Sequence, residues 1–388
     1  MSILFLSLCG RYSPAIAQQH YFFADQIDSL LRADSTPYRY QTAAVWYTFA
    51  GEYYKALETR AREYPQAKTT APTDQERALF ARYKAVDARK AILDAASKTS
   101  ILILNEAHHV PLHRAYLRTL LKDLHRQGYR YLGMEALAYE DTALNQRGYP
   151  LIASGYYTQE PNFGVMIREA LALGYTLFPY EQVFSDSLQK SLGREKAQAT
   201  NIKKMMDQHP GGKFILYCGY DHVAEDSLSN FVGVPMAAWV KRMSGIDPFT
   251  IDQTRMTESP KLGSRYRQLV TGHADYLFRD SSGAFFHAAS APKVIDCNVY
   301  HPDTRLEQGR PSWMMDKNRK LKDIRSRIRI SYPVLVKVYR VSDLDEAVPL
   351  DILELKDPAD ARSLILLRKH KHRIICTNPR GAKQVLTL

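Results

Sequence analysis

Ionisable side chains suited to acid–base or metal chemistry follow three short apolar runs of this sequence and also open a helical stretch. The first segment is Asn105-Glu106-Ala107-His108-His109, directly after the apolar run 101–104. The others are Met134-Glu135, Arg194-Glu195-Lys196 and Gly219-Tyr220-Asp221-His222. Such short runs are typical of buried strands, and functional groups collected at strand ends form active sites in α/β proteins.

The first segment is the strongest signal, because it places one carboxylate and two imidazoles within four residues. His113 lies four residues beyond His109, so on a helix both side chains would share a face and could ligate one metal. Pro111 interrupts that spacing, and neither H-E-x-x-H nor H-x-x-E-H is present. The segment therefore predicts acid–base chemistry rather than a zincin-type site.

The other three segments each allow a functional and a structural interpretation. Glu135 follows a buried run, where a charge is costly unless it is paired, so it should meet a cation, a metal or a histidine. The alternative is an exposed loop glutamate. His222 is either a site residue or a hydrogen-bonded structural histidine. Arg194 opens a helix whose N-terminus already carries partial positive charge, which predicts an anionic partner such as Glu135 or Glu106.

The elements that must position these groups also follow from the pattern. From residue 100 onward, apolar runs alternate with segments of helical spacing at 113–127, 163–173 and 194–208. This alternation predicts an α/β fold with a mainly parallel sheet flanked by helices. We expect three units after the N-terminus: a helical segment at 18–95 with a long helical stretch at 74–96, an α/β core at 96–300, and a small β-rich unit at 330–388.

Composition narrows the classes of protein. The chain has 388 residues, 45% of them hydrophobic, which is enough for a sizeable buried core. Its formal charge of +12 is spread along the chain rather than gathered in one block. The densest basic run, 317–329, lacks the pattern of a nucleic-acid site and predicts a solvated helix. We expect a globular protein that binds a small-molecule substrate or ligand and no nucleic acid.

The N-terminus predicts export. An apolar run at 3–8 precedes Ala15-Ile16-Ala17, which together have the outline of a signal peptide with an A-x-A cleavage site. We therefore expect residues 1–17 to be removed and the protein to be periplasmic or secreted, with lipoprotein anchoring through Cys9 as the alternative. No later segment has about eighteen uninterrupted apolar residues, so we expect no transmembrane segment.

Four segments, in this order, resemble motifs of the erythromycin esterase/ChaN-like superfamily, which includes the TraB and Tiki-type proteins. The G-E-x-H motif is similar to Asn105-Glu106-Ala107-His108, with asparagine in place of glycine. A strand ending in glutamate resembles 128–135, and the R-[DE]-x-x-M-x-x-N motif resembles 194–201, with glutamine in place of methionine. The G-x-x-H motif resembles Gly219-Tyr220-Asp221-His222. The resemblance covers about residues 96–255.

The resemblance implies a hydrolase that acts on an ester, a lactone or an amide. In it His108 would be the general base on a water molecule, with Glu106 and Glu135 orienting the imidazole. His222 and Arg194 would bracket the substrate, and Arg194 would stabilise a developing oxyanion. The sequence has no G-x-S-x-G nucleophile elbow, which favours direct attack by water over an acyl-enzyme.

Three alternatives remain open from sequence. In a metal-dependent variant a divalent ion would acidify the water, although Arg194 would oppose a cation. Its ligands would be Glu106, His108, Glu135 and His222. In a haem-binding protein without hydrolytic activity, the axial ligands would be histidine or nearby tyrosines. These tyrosines are Tyr116, Tyr139, Tyr156 and Tyr157. The third alternative is a catalytically silent relative.

Overall fold

The structure, a computed structural model, describes residues 21–64, 70–183, 185–227, 233–259, 265–288 and 294–388. The predicted signal peptide at 1–17, including Cys9, lies outside the described residues. The α-helices in these ranges are α1 (Ala24–Ala33), α2 (Arg39–Phe49), α3 (Tyr53–Ala61), α4 (Asp74–Phe80), α5 (Ala88–Ala96), α6 (Leu112–Arg126), α7 (Leu144–Arg147), α8 (Pro161–Leu173), α9 (Ser187–Leu192), α10 (Arg194–Gln208) and α11 (Met236–Ser244). None of the helices in the described part of the chain combines the length and apolar character needed to cross a bilayer.

The strands form one large sheet and four smaller ones. They are β1 (Lys84–Asp87), β2 (Ile101–Glu106), β3 (Tyr129–Met134), β4 (Thr176–Pro179), β5 (Lys213–Gly219), β6 (Phe249–Asp252), β7 (Tyr276–Arg279), β8 (Cys297–Asn298), β9 (Leu306–Glu307), β10 (Arg310–Pro311), β11 (Arg319–Lys322), β12 (Val334–Arg340), β13 (Asp351–Leu355), β14 (Leu364–Leu367), β15 (His372–Thr377) and β16 (Lys383–Thr387). The large sheet has the order β4-β3-β5-β2-β6-β8, and every neighbouring pair in it is parallel. The predicted α/β fold is therefore confirmed.

The large sheet is buried on both faces, as parallel sheets usually are. Alternation along β2 sends Leu102 and Leu104 to a core shared with α6 and α8. Ile101 and Ile103 point the other way, into a core shared with α10 and α11. All six residues of β2 are buried. The first four are apolar, and the last two are Asn105 and Glu106.

The register of the sheet brings the carboxyl ends of three strands together. Glu106, the last residue of β2, lies opposite Gly219, the last residue of β5. On the other side of β5, Met134 at the end of β3 lies opposite Tyr217. The segments that follow β2, β3 and β5 must therefore leave the sheet at the same edge, which is the edge that binds ligands in open α/β sheets.

The N-terminal segment consists, in its described residues, of helices α1 to α5 and the short strand β1. The stretch 74–96, expected as one helix, is α4 and α5 separated by β1, which pairs antiparallel with β7. Asp87 ends β1 and starts α5, where its side chain accepts a hydrogen bond from the Lys90 N–H at 2.7 Å. An N-cap of this kind supplies the hydrogen bond that a continuous helix would have made with its own backbone.

The basic run 317–329 is not the helix that the sequence predicts. Its first part is strand β11, which pairs antiparallel with β14, and Arg325–Arg327 form one short 3-10 turn. Arg319 is buried, and its Nη1 donates to the Met314 carbonyl at 3.0 Å. The basic side chains thus do not form one solvated helical face.

The C-terminal unit is β-rich, as expected. It contains a four-stranded antiparallel sheet of order β13-β12-β15-β16 together with the pair β11-β14. Its apolar core includes Val165 from α8 of the α/β core. A buried ion pair joins the same two parts, because Arg168 of α8 donates to both oxygens of Asp343 at 3.2 and 3.0 Å and to the Val348 carbonyl at 3.1 Å.

Removing the charge of Asp343 should destabilise the protein strongly. The Asp343→Asn variant would leave the Arg168 guanidinium buried without its counter-ion, which costs about 3–5 kcal/mol of unfolding free energy. Urea-induced unfolding measures this loss. The double variant Arg168→Met/Asp343→Asn should recover most of the stability, and a double variant as unstable as the single one would show that the unpaired charge is not the cause.

Candidate active site

The five residues predicted from sequence lie in one cluster at the carboxyl ends of β2, β3 and β5. They are Glu106, His108, Glu135, Arg194 and His222. The cluster consists of a Glu106–His108 pair and a Glu135–Arg194–His222 group, and the two meet at Gly219. A Cβ atom built on Gly219 would lie 2.7 Å from His108 Nε2 and 3.3 Å from Glu135 Oε2. Because Gly219 has no side chain, the two groups can approach each other across it.

Glu106 is held by an arginine that the sequence pattern did not single out. Arg114, fully buried on α6, donates from Nε to Glu106 Oε2 at 2.6 Å and from Nη2 to Oε1 at 2.7 Å. Burial by itself would raise the pKa of Glu106, but Arg114 and His108 outweigh it and hold the pKa well below its usual range. Glu106 is therefore an anion at neutral pH.

The charge of Glu106 fixes the tautomer of His108. His108 Nδ1 lies 2.9 Å from Glu106 Oε1, and because an ionised carboxylate can only accept, Nδ1 carries the proton. The other nitrogen, Nε2, faces Gly219 and Glu135. Tyr157 stacks on the imidazole with ring centroids 3.8 Å apart, and Tyr220 meets it edge-on at 5.2 Å. The ring is thus oriented by two aromatic contacts and by a hydrogen bond at one nitrogen.

The Glu135 carboxylate is paired with a cation, as expected for a charge that is costly to bury alone. Its Oε1 accepts from Arg194 Nη2 at 2.5 Å, and its Oε2 accepts from the Gly219 N–H. Burial favours the neutral acid, but His222, Arg194 and His108 together lower the pKa of Glu135. The side chain is only 10% exposed, so Glu135 is not the exposed loop glutamate of the structural alternative. Arg194 also contacts Glu181 through Nε, at 3.1 and 3.2 Å.

His222 lies between two carboxylates and one guanidinium. Its Nδ1 is 2.7 Å from Glu195 Oε2, while its Nε2 is 3.0 Å from Arg194 Nη1 and 3.5 Å from Glu135 Oε1. Burial lowers the pKa of His222, but Glu135 and Glu195 outweigh it, so the net shift is upward. Neutral His222 accepts from Arg194 at Nε2, and protonated His222 donates to Glu135 instead.

The turn after β5 has an unusual backbone conformation. Tyr220 has φ +41°, a value that residues other than glycine rarely adopt. Asn105 holds this turn, because its Nδ2 donates to the Tyr220 carbonyl at 2.7 Å. Its Oδ1 accepts from the Gln253 N–H at 2.7 Å, and Gln253 Nε2 donates to the Asn105 carbonyl at the same distance. The asparagine that replaces the motif's glycine thus positions the segment that carries His222.

Several contacts of the cluster were missed from sequence because they join distant segments. Arg114 also donates from Nη1 to Glu160 Oε2 at 3.2 Å, and Glu160 caps α8. The one sequence signal was an arginine three residues before Leu117, within the apolar spacing of α6. His113 does not share a metal with His109, because His113 Nδ1 accepts from the Ala107 N–H at 3.0 Å.

The donor atoms of the cluster do not fit the metal alternative. Both oxygens of Glu106 face Arg114, Oε1 of Glu135 faces Arg194, and both nitrogens of His222 have polar neighbours. In the described ranges, no group of three or more His, Cys, Asp and Glu side chains is arranged to hold a metal ion.

Comparisons with known proteins assign no family to the chain. No family model and no curated protein matches it. The type III effector HopBA1 is similar over 57% of this chain and 97% of its own, with 12% identity and a TM-score of 0.36. A structure described as bacterial protein toxins is similar over 61% of this chain and 47% of its own, with 14% identity and a TM-score of 0.30. RRSP, a MARTX toxin effector domain from Vibrio vulnificus CMCP6, is similar over 59% of this chain and 45% of its own, with 15% identity and a TM-score of 0.29. At these TM-scores the comparisons carry no argument about activity.

The stability contributed by His222 should depend on pH in a defined direction. Because its pKa is raised in the folded protein, the contribution is fully present below the unfolded value of about 6.5 and is lost as the pH rises through the folded value. The free energy of unfolding of the wild type should therefore exceed that of His222→Asn by more at pH 5.5 than at pH 8.5.

Urea unfolding at a series of pH values measures this difference. The Glu195→Gln background provides the control, because removing one of the two carboxylates should shrink the pH dependence. If the difference in unfolding free energy between wild type and His222→Asn grew with pH, the raised pKa of His222 would be contradicted.

Proposed function

We propose that the protein is a hydrolase in which His108 activates a water molecule for attack on the carbonyl carbon of an ester, a lactone or an amide. The observation that carries the proposal is the Glu106–His108 pair. The ionised Glu106 carboxylate accepts a hydrogen bond from Nδ1–H of His108, so Nε2 keeps the lone pair that a general base needs. The same division of roles between a carboxylate and an imidazole orients the base in Ser-His-Asp triads.

Positive charge on the far side of Gly219 complements this base. Arg194 and His222 lie next to each other there, and Glu135 contacts both. The Arg194 side chain is 27% exposed, against 10% or less for Glu135 and His222, so a substrate approaching from solvent meets Arg194 first. A guanidinium at that position can stabilise the negative charge that develops on a carbonyl oxygen.

The proposed reaction then balances without a covalent enzyme intermediate. His108 Nε2 accepts a proton from water as the oxygen attacks the carbonyl carbon, and Arg194 stabilises the resulting oxyanion. When the tetrahedral intermediate collapses, a proton from His222 reaches the leaving oxygen or nitrogen. His108 then releases the proton it took from water, and His222 regains one from solvent, which restores the starting state. Two imidazoles held in different electrostatic environments thus take opposite roles, which is how other sites run acid and base chemistry at one pH.

Hydrolysis should depend on His108 and Glu135 much more than folding does. His108→Ala and Glu135→Gln should each lower kcat by about a hundredfold to ten-thousandfold, the range for loss of a positioned general base and its support. The measurement is a screen of ester, lactone and peptide substrates combined with circular dichroism melting. His370→Ala, at an exposed histidine of the C-terminal unit, is the matched control and should keep both activity and melting temperature.

Three outcomes, from this experiment, from elemental analysis and from visible absorption, would count against the proposal. Full activity of His108→Ala with a large loss of melting temperature would make His108 a structural residue. Elemental analysis that finds a stoichiometric divalent metal would favour metal-dependent chemistry, and a Soret band lost on His108→Ala would favour haem binding.

A further inference from the structure

A network of buried side chains leads from the turn at Tyr220 away from the ionisable cluster, to the residue that precedes β7. Asn105 is joined to Gln253, the first residue after β6, by two hydrogen bonds of 2.7 Å. Gln253 Oε1 lies 3.2 Å from His301 Nε2. His301 Nδ1 in turn lies 2.7 Å from Asp275 Oδ1. We call Asn105, Gln253, His301 and Asp275 the buried network.

The Gln253 amide has one orientation that satisfies its neighbours. Its Nε2 donates to the Asn105 carbonyl at 2.7 Å, and a carbonyl oxygen can only accept. The atom that faces His301 is therefore the amide oxygen, which can also only accept. It follows that His301 Nε2 carries a proton and donates it to Gln253 Oε1.

The other nitrogen of His301 donates as well, because a carboxylate faces it. Asp275 accepts from Nδ1, so the ring carries two protons and Asp275 balances its positive charge. The neighbouring His113 stays neutral, since burial and then the charge of His301 lower its pKa well below the usual range. Tyr116, whose ring centroid lies 4.9 Å from that of His301, also stays neutral, because burial raises its pKa.

The links of the buried network depend on each other because water does not reach them. Asn105, Gln253 and His301 are each 0% exposed, so solvent cannot replace a lost hydrogen-bond partner. If His301 offered no donor, Gln253 Oε1 would be left unpaired, and the amide could turn towards another partner. The same rotation would break its bond to the Asn105 carbonyl.

At its other end the network holds the turn that borders the proposed base. Asn105 Nδ2 donates to the Tyr220 carbonyl at 2.7 Å, and Tyr220 has φ +41°, a conformation that persists only where its surroundings hold it. The Tyr220 ring meets the His108 ring edge-on, and Gly219 in the same turn donates its N–H to Glu135. A shift of this turn would therefore change the surroundings of both His108 and Glu135.

We propose that His301 and Asp275 are positioning residues for the hydrolysis proposed above. They act through Gln253 and Asn105 on the turn at Tyr220, and not on the substrate itself. The inference rests on the proposed hydrolase function and names further residues on which the rate of that reaction depends.

His301→Phe tests the proposal, because it removes the donor and keeps a planar ring of comparable size. For a substrate found in the screen above, kcat should fall about tenfold to a hundredfold, as expected when a site group is displaced. KM should change little, since the contacts of Arg194 are kept. The control is His372→Phe, at a buried histidine of the C-terminal unit whose Nε2 accepts from the Leu367 N–H at 3.3 Å. It should lower the melting temperature and keep kcat.

A double-variant cycle shows whether His301 acts through Gln253. Gln253→Leu removes the amide and should itself lower kcat. Adding His301→Phe to Gln253→Leu should then lower kcat no further, because the network is already broken. Losses that multiply in the double variant, or a folded His301→Phe variant with the kcat of the wild type, would overturn the proposal.

An NMR measurement without turnover separates this proposal from the proposed function. In histidine-labelled protein, the Hε1 signal of His108, assigned by its loss in His108→Ala, should shift in His301→Phe and stay in place in His372→Phe. If no substrate is hydrolysed but this shift is observed, the hydrolase proposal fails and the link from His301 to the site stands. If the wild type is active and neither kcat nor the signal changes in His301→Phe, the link fails and the hydrolase proposal stands.

Discussion

The buried ion pair between Arg114 and Glu106 is the constraint on which the candidate site depends. Arg114 connects three elements, because it contacts Glu106 at the end of β2, the His108 carbonyl in the following loop and Glu160 at the start of α8. Breaking such a pair leaves an uncompensated buried charge, which costs several kcal/mol. The charge that orients His108 is therefore fixed by the same contacts that pack α6 and α8 on the sheet.

A second constraint is the register of the parallel sheet. β5 lies between β2 and β3, so the residues that leave these three strands converge without any long-range adjustment. Glu106 is the last residue of β2, and Glu135 and His222 follow the ends of β3 and β5 by one and three residues. The site is thus built on strand ends, which are more rigid than loop tips, and this suits a reaction that needs fixed distances.

The sequence revealed most of the core and the five clustered residues, because short apolar runs ending in charged residues give a strong local signal. It did not reveal β1, whose four residues are mostly exposed and carry no apolar run. It also predicted the wrong element at 317–329, where Arg319 is buried against the Met314 carbonyl instead of solvated. The partners Arg114 and Glu160 were missed for a different reason, since their pairing is decided by how α6 and α8 pack.

The turn at Tyr220 has a consequence for how this protein can change. Asn105 and Gln253 hold its left-handed backbone from the β6 side of the sheet, and neither is among the five clustered residues. Replacements at Gln253 would therefore move the Tyr220 ring, which packs against the His108 ring with centroids 5.2 Å apart. A residue outside the ionisable cluster can thus alter the surroundings of the His108 imidazole without changing any of the five ionisable groups.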